Sequence, residues 1–482
     1  MRTLRVLLAL ALALGAWSAR AELPPEDACP TLTGGAGDDG LEDVGPIAVR
    51  EGMIVAYGDL FALRRLLPPE LWRLRDTFFY EGMRLEVGPC YRRYAVPSFV
   101  REATRANAGR ARIDDDGNLR DFVAGLPFPP DAIDSQADDA GVAWAWNLEL
   151  RYRGAGPHGR FKLVDMPSRI GRPQTYLGSF FQVKTTHRAD LAESGFKLGR
   201  GDDNLWVAGG QFTEPFDARH LAWRQFRPTS TLRRYKEADR TYVYVPTMRK
   251  PRRAATVWSD GLFTPRYTVS GDAAGGPVPI GTGGEYSVGA INPTGGESAA
   301  SSEDIKRGFT GLALRPNAYH WKFVGEQSVL APLNVRGTGY PHSEDRNWGP
   351  SGLSIASDVW DVRHAVVIEG IPKMDDRDFA WMTLYIDYQT QQPLYVVTRR
   401  PNRLVHEVGI LAHRFSSRLV DYPLWPRSGE PAFVFDPVAA VFFSSNDGGT
   451  GWRRESFDVR SVPVSDAELR SMTSTTALIR GR

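Results

Sequence analysis

The residue pattern of this chain predicts a mainly β (α+β) fold, a large curved antiparallel sheet or incomplete β-barrel with a few short covering helices. Two stretches carry the expectation. RTYVYVPTMRKPRRAA (240–255) opens on Thr241–Val245, where aromatic and β-branched residues alternate with the period of a strand, and Pro246 stops it. MTLYIDYQTQQPLYVV (382–397) repeats the design as two alternating runs joined by a polar turn. A third observation is extent. From Val142 onward most segments read as extended, and no repeat at solenoid or propeller spacing organises them. A sheet built this way has one apolar face, which another element must cover or a greasy ligand must occupy.

In chain order, Arg2 and Arg5 precede the apolar run Val6–Trp17, and Ala19-Arg20-Ala21 supplies small residues for cleavage. Residues 1–21 therefore read as a secretory signal peptide cut after Ala21, too short for a stable membrane anchor. Its removal takes away Arg2, Arg5 and Arg20, leaving 56 basic against 57 acidic residues, a net charge of −1. Near-neutrality gives no argument for a nucleic-acid partner. Residues 22–47 are rich in Pro, Gly and acid and read as a mobile arm. Residues 48–415 form the β-rich domain, and 416–482 a C-terminal extension.

Within that domain, Asp59–Leu67 and Glu70–Thr77 have helical spacing around Pro68-Pro69, and Pro69 suits a first helical turn. Met83–Val87, Tyr91–Val96 and Ala111–Ile113 read as extended, with a turn at Asp116-Gly117-Asn118. Strands are expected at Ala143–Arg153, Phe161–Val164, Gly178–Thr186, Arg219–Phe226, Thr241–Val245, Ala318–Leu330, Val362–Ile368, Trp381–Tyr388, Pro393–Thr398, Val405–Phe415 and Ala440–Ser444. A Gly-rich loop spans 270–302, and loops of that length are functional or disordered. Cys29 and Cys90 are the two cysteines. In an oxidising compartment they either pair, tethering the arm, or remain free thiols.

Catalytic signatures are absent. There is no G-x-x-x-x-G-K-[ST] loop and no G-x-S-x-G elbow, and His406-Glu407 lacks a second His because Ile410 stands there. SNDGGTGW (445–452) partly matches a sialidase-type box and reads better as a hairpin turn. On a strand, Asp358 and His364 share a face while Asp361 points away, which argues against a metal cluster. No cofactor, no metal and no enzymatic activity are expected.

Two features remain. The basic cluster Arg249, Lys250, Arg252 and Arg253 reads as a solvated turn that discourages edge pairing, as a docking patch, or as a rim for lipid head groups. The aromatics, among them Trp144 and Trp146 on one strand, read either as plain core or as the lining of an apolar cavity. Candidate wall residues are Tyr242, Tyr244, Trp321, Phe323, Tyr385 and Leu394.

Several segments together resemble the exported bacterial proteins of the DUF1329 family, grouped with outer-membrane lipoprotein-sorting proteins. They are AGLPFPPDAI (124–133), AWAWNLELRYRG (143–154), RTYVYVPTMRKPRRA (240–254), NAYHWKFVGEQSVLAPLN (317–334), WDVRHAVVIEG (360–370) and MTLYIDYQTQQPLYVV (382–397). That family is considered similar to the LolA/LolB carriers, whose incomplete barrel encloses an acyl-chain cavity. The resemblance implies a periplasmic carrier or binding protein for a lipid, lipoprotein or other hydrophobic molecule, held without covalent chemistry. It implies partners such as an envelope transporter or outer-membrane protein, with transient membrane contact. A non-catalytic structural subunit of an envelope complex is the alternative, and a hydrolase of envelope lipid or glycan a further one. The family carries no accepted catalytic residues, so none is transferred.

Overall fold

The computed structural model describes residues 23–32, 46–166, 173–199, 203–216, 219–245, 250–254, 310–337, 348–374, 377–446, 449–462 and 465–474, together with 260, 265–266, 286–287, 476 and 478. The signal-peptide reading, Arg249 and the Gly-rich loop at 270–302, apart from Tyr286 and Ser287, lie outside these residues. So do the side chains of Lys250 and Arg252.

Fifteen strands make one sheet. They are β1 (Ile54–Val55), β2 (Leu85–Cys90), β3 (His158–Met166), β4 (Gln174–Lys184), β5 (Asn204–Glu214), β6 (Ala222–Pro228), β7 (Arg240–Val245), β8 (Lys250–Ala254), β9 (Tyr319–Ala331), β10 (Val359–Pro372), β11 (Trp381–Asp387), β12 (Pro393–Arg399), β13 (Val405–Phe415), β14 (Phe435–Asn446) and β15 (Gly449–Arg460). The order is β8-β7-β6-β5-β4-β3-β15-β14-β13-β12-β11-β10-β2-β1, with β9 also on β10. All pairings are antiparallel except β10 with β2, so the sheet is large, mixed and not closed into a barrel. It consists of two meanders, β3–β8 and β9–β14. The last strand, β15, joins them by pairing with β14 on one side and β3 on the other. The residues read as a C-terminal extension thus supply two central strands.

The expected strands of 161–164, 178–186, 219–226, 241–245 and 318–444 lie in this sheet within a few residues of their expected ends. The N-terminal helix pair is present as Leu60–Leu63, Pro69–Arg73 and Arg75–Phe78. Tyr91–Val96, read as extended, lies outside the strands, and one strand becomes a helix. Residues 143–150, expected as strand, are part of a helix, Ala140–Leu150, in which every residue is buried. A helix that is apolar all round has no amphipathic stripe and belongs in a core. Without a stripe, its Val142, Trp144 and Trp146 mimic the alternation of a strand. Gly141 lets it lie against the sheet, since a Cβ there would come within 2.8 Å of the backbone of Lys322 and Phe323 in β9. Its two interior polar side chains are satisfied. Asn147 brackets the backbone of Phe128, and Glu149 accepts from the Trp206 indole and the Leu314 amide.

The single apolar face expected for 382–397 is also corrected. Both faces of β10–β14 are buried. Val367, Tyr385, Tyr395, Val397 and Ile410 pack under the 55–94 segment and the 329–360 residues. Val366, Ile368, Leu384, Ile386 and Val396 pack with Trp144 and Trp146 of the helix on the other side. Edge strand β8 carries Lys250, Pro251, Arg252 and an exposed Arg253, where a turn was expected. Lysine and proline at a sheet edge block pairing with another chain. Cys29 and Cys90 are joined by a disulfide that fastens the segment after Leu23 to β2. Among the described residues, no helix is long and apolar enough to cross a membrane.

Candidate functional site

The six candidate wall residues do not converge. Tyr385 and Leu394 lie in the core under the N-terminal segment, with Tyr385 edge-on to Tyr395 at 5.9 Å. Trp321 and Phe323 belong to the opposite core, where the Trp321 indole donates to the Pro316 carbonyl. Tyr242 is half-buried against Phe226 at 6.1 Å, and half-buried Tyr244 sits opposite Ala222 and Pro251. None of the six lines either of the two cavities described next. Asp358, Asp361 and His364 also engage separate groups. Asp358 accepts from the amides of Arg336 and Gly337, Asp361 accepts from the Tyr94 hydroxyl, and His364 meets Glu326 at 2.6 Å.

A cavity of about 360 Å³ opens at one end of the sheet. Its walls are the helix Ser98–Ala106, the loop through Gly125 and Leu126, and the residues that follow the buried helix. The end of β4, the β11–β12 turn and the approach to β14 complete it. The 98–106 helix starts after Pro97, and Glu430 satisfies its first donors, accepting from the Ser98 amide at 2.8 Å and the Ser98 hydroxyl at 2.6 Å. A carboxylate in that place also suits the helix dipole. Gly125, at φ +87°, brings the next loop onto this helix. A Cβ there would lie 2.5 Å from the Thr104 amide, and the Leu126 amide donates to Thr104 Oγ1.

One side of the cavity is apolar. Phe99 packs edge-on to Trp425 at 5.3 Å and to Tyr152 at 6.3 Å. Tyr94 sits 4.9 Å from Phe415 and 4.8 Å from Phe435. Its hydroxyl donates to Asp361 at 2.5 Å, and burial raises its pKa well above that of ordinary tyrosine. Burial likewise pushes the Asp361 carboxyl up to about 6. The polar turn seen in the sequence forms part of the wall. Gln389 both donates to and accepts from the Tyr94 backbone, and Gln392 accepts from Arg151 Nε at 3.1 Å.

The opposite side is basic. Arg153 is buried and donates to Gln182 Oε1 and the Leu312 carbonyl. Half-buried Lys184 donates to the Leu150 carbonyl at 3.2 Å. Burial, followed by the neighbouring Arg153, lowers its pKa to about 7. Arg188, at 2% exposure, holds Asp190 through Nε and Nη2, while its buried Nη1 has no partner.

His187, at φ +56°, borders this cavity and a second one of about 490 Å³. Its Nδ1 lies 2.7 Å from the Val123 carbonyl and its ring 4.9 Å from that of Phe122. Burial lowers its pKa to about 4, so the ring is neutral near pH 7 and Nδ1 carries the proton donated to Val123. The strand end Lys184–Arg188 is thus a partition with a cavity on each side. The sequence expectation included this strand but not its basic end. The signal is visible as Lys184, His187 and Arg188 within five positions, although it points to a cavity only when 94–105 and 389–392 are brought alongside.

The comparisons with known proteins agree with the family resemblance. The model of DUF1329, described as a protein of unknown function, matches residues 64–271. A domain from Vibrio parahaemolyticus described as outer membrane lipoprotein-sorting aligns at 11% identity, covering 70% of this chain and all of that one, with a TM-score of 0.36. A DUF1329 family protein from Desulfovibrio piger aligns at 12% identity, covering 71% of this chain and 98% of that one, with a TM-score of 0.38. A LolA superfamily protein from Nitrosomonas europaea aligns at 9% identity over 68% of this chain and 94% of that one, with a TM-score of 0.29. No curated protein matches the chain. At these identities and scores nothing about ligands is transferred from the solved structures.

Proposed function

We propose that this chain is an exported binding or carrier protein for a lipid or other hydrophobic molecule, taken up without covalent chemistry in the cavity beside Phe99 and Lys184. The observation that carries the reading is the cavity itself. Its volume of about 360 Å³ and its aromatic wall, Tyr94, Phe99, Tyr152 and Phe435, suit a ligand with a substantial apolar body. Each methylene transferred from water contributes ~0.8 kcal/mol, so an acyl chain supplies on the order of ten kcal/mol before ordering costs. No chemistry on the ligand is needed to extract it. Export is supported by the basic-then-apolar pattern of residues 1–21 and by the Cys29–Cys90 disulfide. The expected partners are an envelope transporter or an outer-membrane protein.

One observation favours the rival reading of a ligand-free structural subunit: the central strands are covered on both faces. The two readings separate in a single experiment. Native mass spectrometry of gently purified protein is expected to show an apolar adduct, and a fluorescent fatty-acid probe is expected to bind. Val96→Trp, which places an indole in the cavity, is expected to weaken the probe by about tenfold or more, equivalent to ~1.4 kcal/mol. No adduct together with no probe binding leaves the structural-subunit reading.

A further inference from the structure

The charges around the cavity specify the ligand more closely, on the premise that the cavity is the binding site. Among the described residues, five basic side chains line it, Arg101, Arg105, Arg153, Lys184 and Arg188, against the single carboxylate of Asp190. Arg101 and Arg105 are exposed and solvated. The other three are not. Arg153 has neutral acceptors, Gln182 Oε1 and the Leu312 carbonyl. Lys184 has the neutral Leu150 carbonyl. Arg188 spends one edge on Asp190 and leaves Nη1 buried and unpartnered. Glu149, the buried carboxylate behind this wall, acts on Arg151, Arg153 and Lys184 through space only, and its contacts are with the Trp206 indole, the Leu314 amide and Arg227 at 3.9 Å. Directly behind the wall, buried Arg151 also finds neutral partners, Gln392 Oε1 and the carbonyls of Leu148 and Gly311.

Charge withdrawn from water without a carboxylate bonded to it is unfavourable. Cations gathered at one wall, one of them with a free buried N–H, form a site that an anion stabilises. The wall facing them is aromatic and aliphatic. We propose that the cavity takes an amphiphile with one anionic head group, a carboxylate or a phosphate ester, on an apolar body the size of a single acyl chain. The head group lies among Arg153, Lys184 and Arg188 Nη1, and the body lies along Tyr94, Phe99 and Leu126. The volume is near the lower end of the roughly 300–1,000 Å³ range of small-molecule pockets, too little to enclose a lipid with several chains. A bound anion would raise the Lys184 pKa, which burial and then Arg153 lower.

The test is isothermal titration of the full mature chain, stripped of co-purified lipid, at pH 6.5. The probes are dodecanoate, dodecyl phosphate, dodecanol, dodecyltrimethylammonium and inorganic phosphate. Both anionic amphiphiles are expected to bind at least tenfold tighter than dodecanol, with the quaternary amine weaker still. The tighter of the two anions tells a fatty acid from a phosphate-bearing lipid. Lys184→Met, with Arg188→Gln as the second variant, is expected to reduce the preference for the anions over dodecanol to less than about twofold. Equal binding of dodecanol and the anions overturns the head-group assignment and leaves the carrier reading standing. Inorganic phosphate binding as tightly as dodecyl phosphate overturns the amphiphile. Binding by none of the five removes both.

Discussion

Two groups of buried or half-buried cations in this molecule are treated in opposite ways. In the first, each guanidinium meets a carboxylate. Arg227 and Arg315 share Asp239 at 3.1 and 2.7 Å, and Arg363 holds Asp387 at 2.7 Å, every side chain at 3% exposure or less. In the second, around the cavity, Arg151, Arg153 and Lys184 meet carbonyls and amides. The first arrangement neutralises its charge internally and fixes strands to loops; Asp239, for example, ties β6 to the residues following 310. The second leaves positive charge at and behind the cavity wall with no carboxylate bonded to it. The contrast separates cations that complete the fold from cations held in readiness for something outside it.

The largest effect should come from breaking the first group. Asp239 accepts from Gln225, Arg227 and Arg315, so Asp239→Ala removes the carboxylate that two buried guanidinium groups share. Chemical denaturation is expected to show a loss of about 3–5 kcal/mol. A loss below ~1 kcal/mol would make the two groups alike.

The second group is tested by pH. Lys184 has a folded pKa of about 7, below its ordinary value of 10.5, so between those values the unfolded chain binds the extra proton. Stability therefore rises with pH across that window and is lower where both states are protonated. The charged neighbours bearing on this lysine are Arg153, Glu149, Arg188 and Arg151. Lys184→Met removes its contribution, and an unchanged slope in the variant would place the effect on another group.

The smallest expected effect is on ligand-dependent stability. At a hundred times its dissociation constant, dodecanoate is expected to raise wild-type stability by about 2.7 kcal/mol, readable as a shift in thermal midpoint. Lys184→Met should show a shift only as large as dodecanol gives. Equal shifts in both proteins would erase the distinction between the two groups of cations.

Much of the sheet is legible in the sequence, because strands such as 381–387 and 393–399 alternate and end at turn residues. What was not legible has specific causes. Helix 140–150 has no polar stripe, so no period shows its type. Strand Asn204–Glu214 carries the pair Gly209-Gly210, which reads as a loop; a Cβ at Gly210 would meet the Trp223 ring at 2.6 Å. Strand Gly449–Arg460 carries Arg453 and Glu455, which look solvated in sequence but are buried against each other at 3.1 Å. The polar turn at 389–392 was visible as a turn, and only the fold makes it a wall. The cavity draws on residues from 94 to 435, so no local window contains it.

The position of β15 has a consequence for how this protein is made. Strands β3 and β14 each pair along one side with a strand close to them in sequence, and on the other side with β15, the last strand among the described residues. Until about residue 460 emerges, both present bare ladders of backbone donors and acceptors, the geometry that invites pairing between different molecules. Pairing of 158–166 with 452–460 also joins residues 286 to 302 positions apart, and such distant closures are slow. A premature stop before Gly449 would therefore be expected to yield aggregate rather than a shortened native protein.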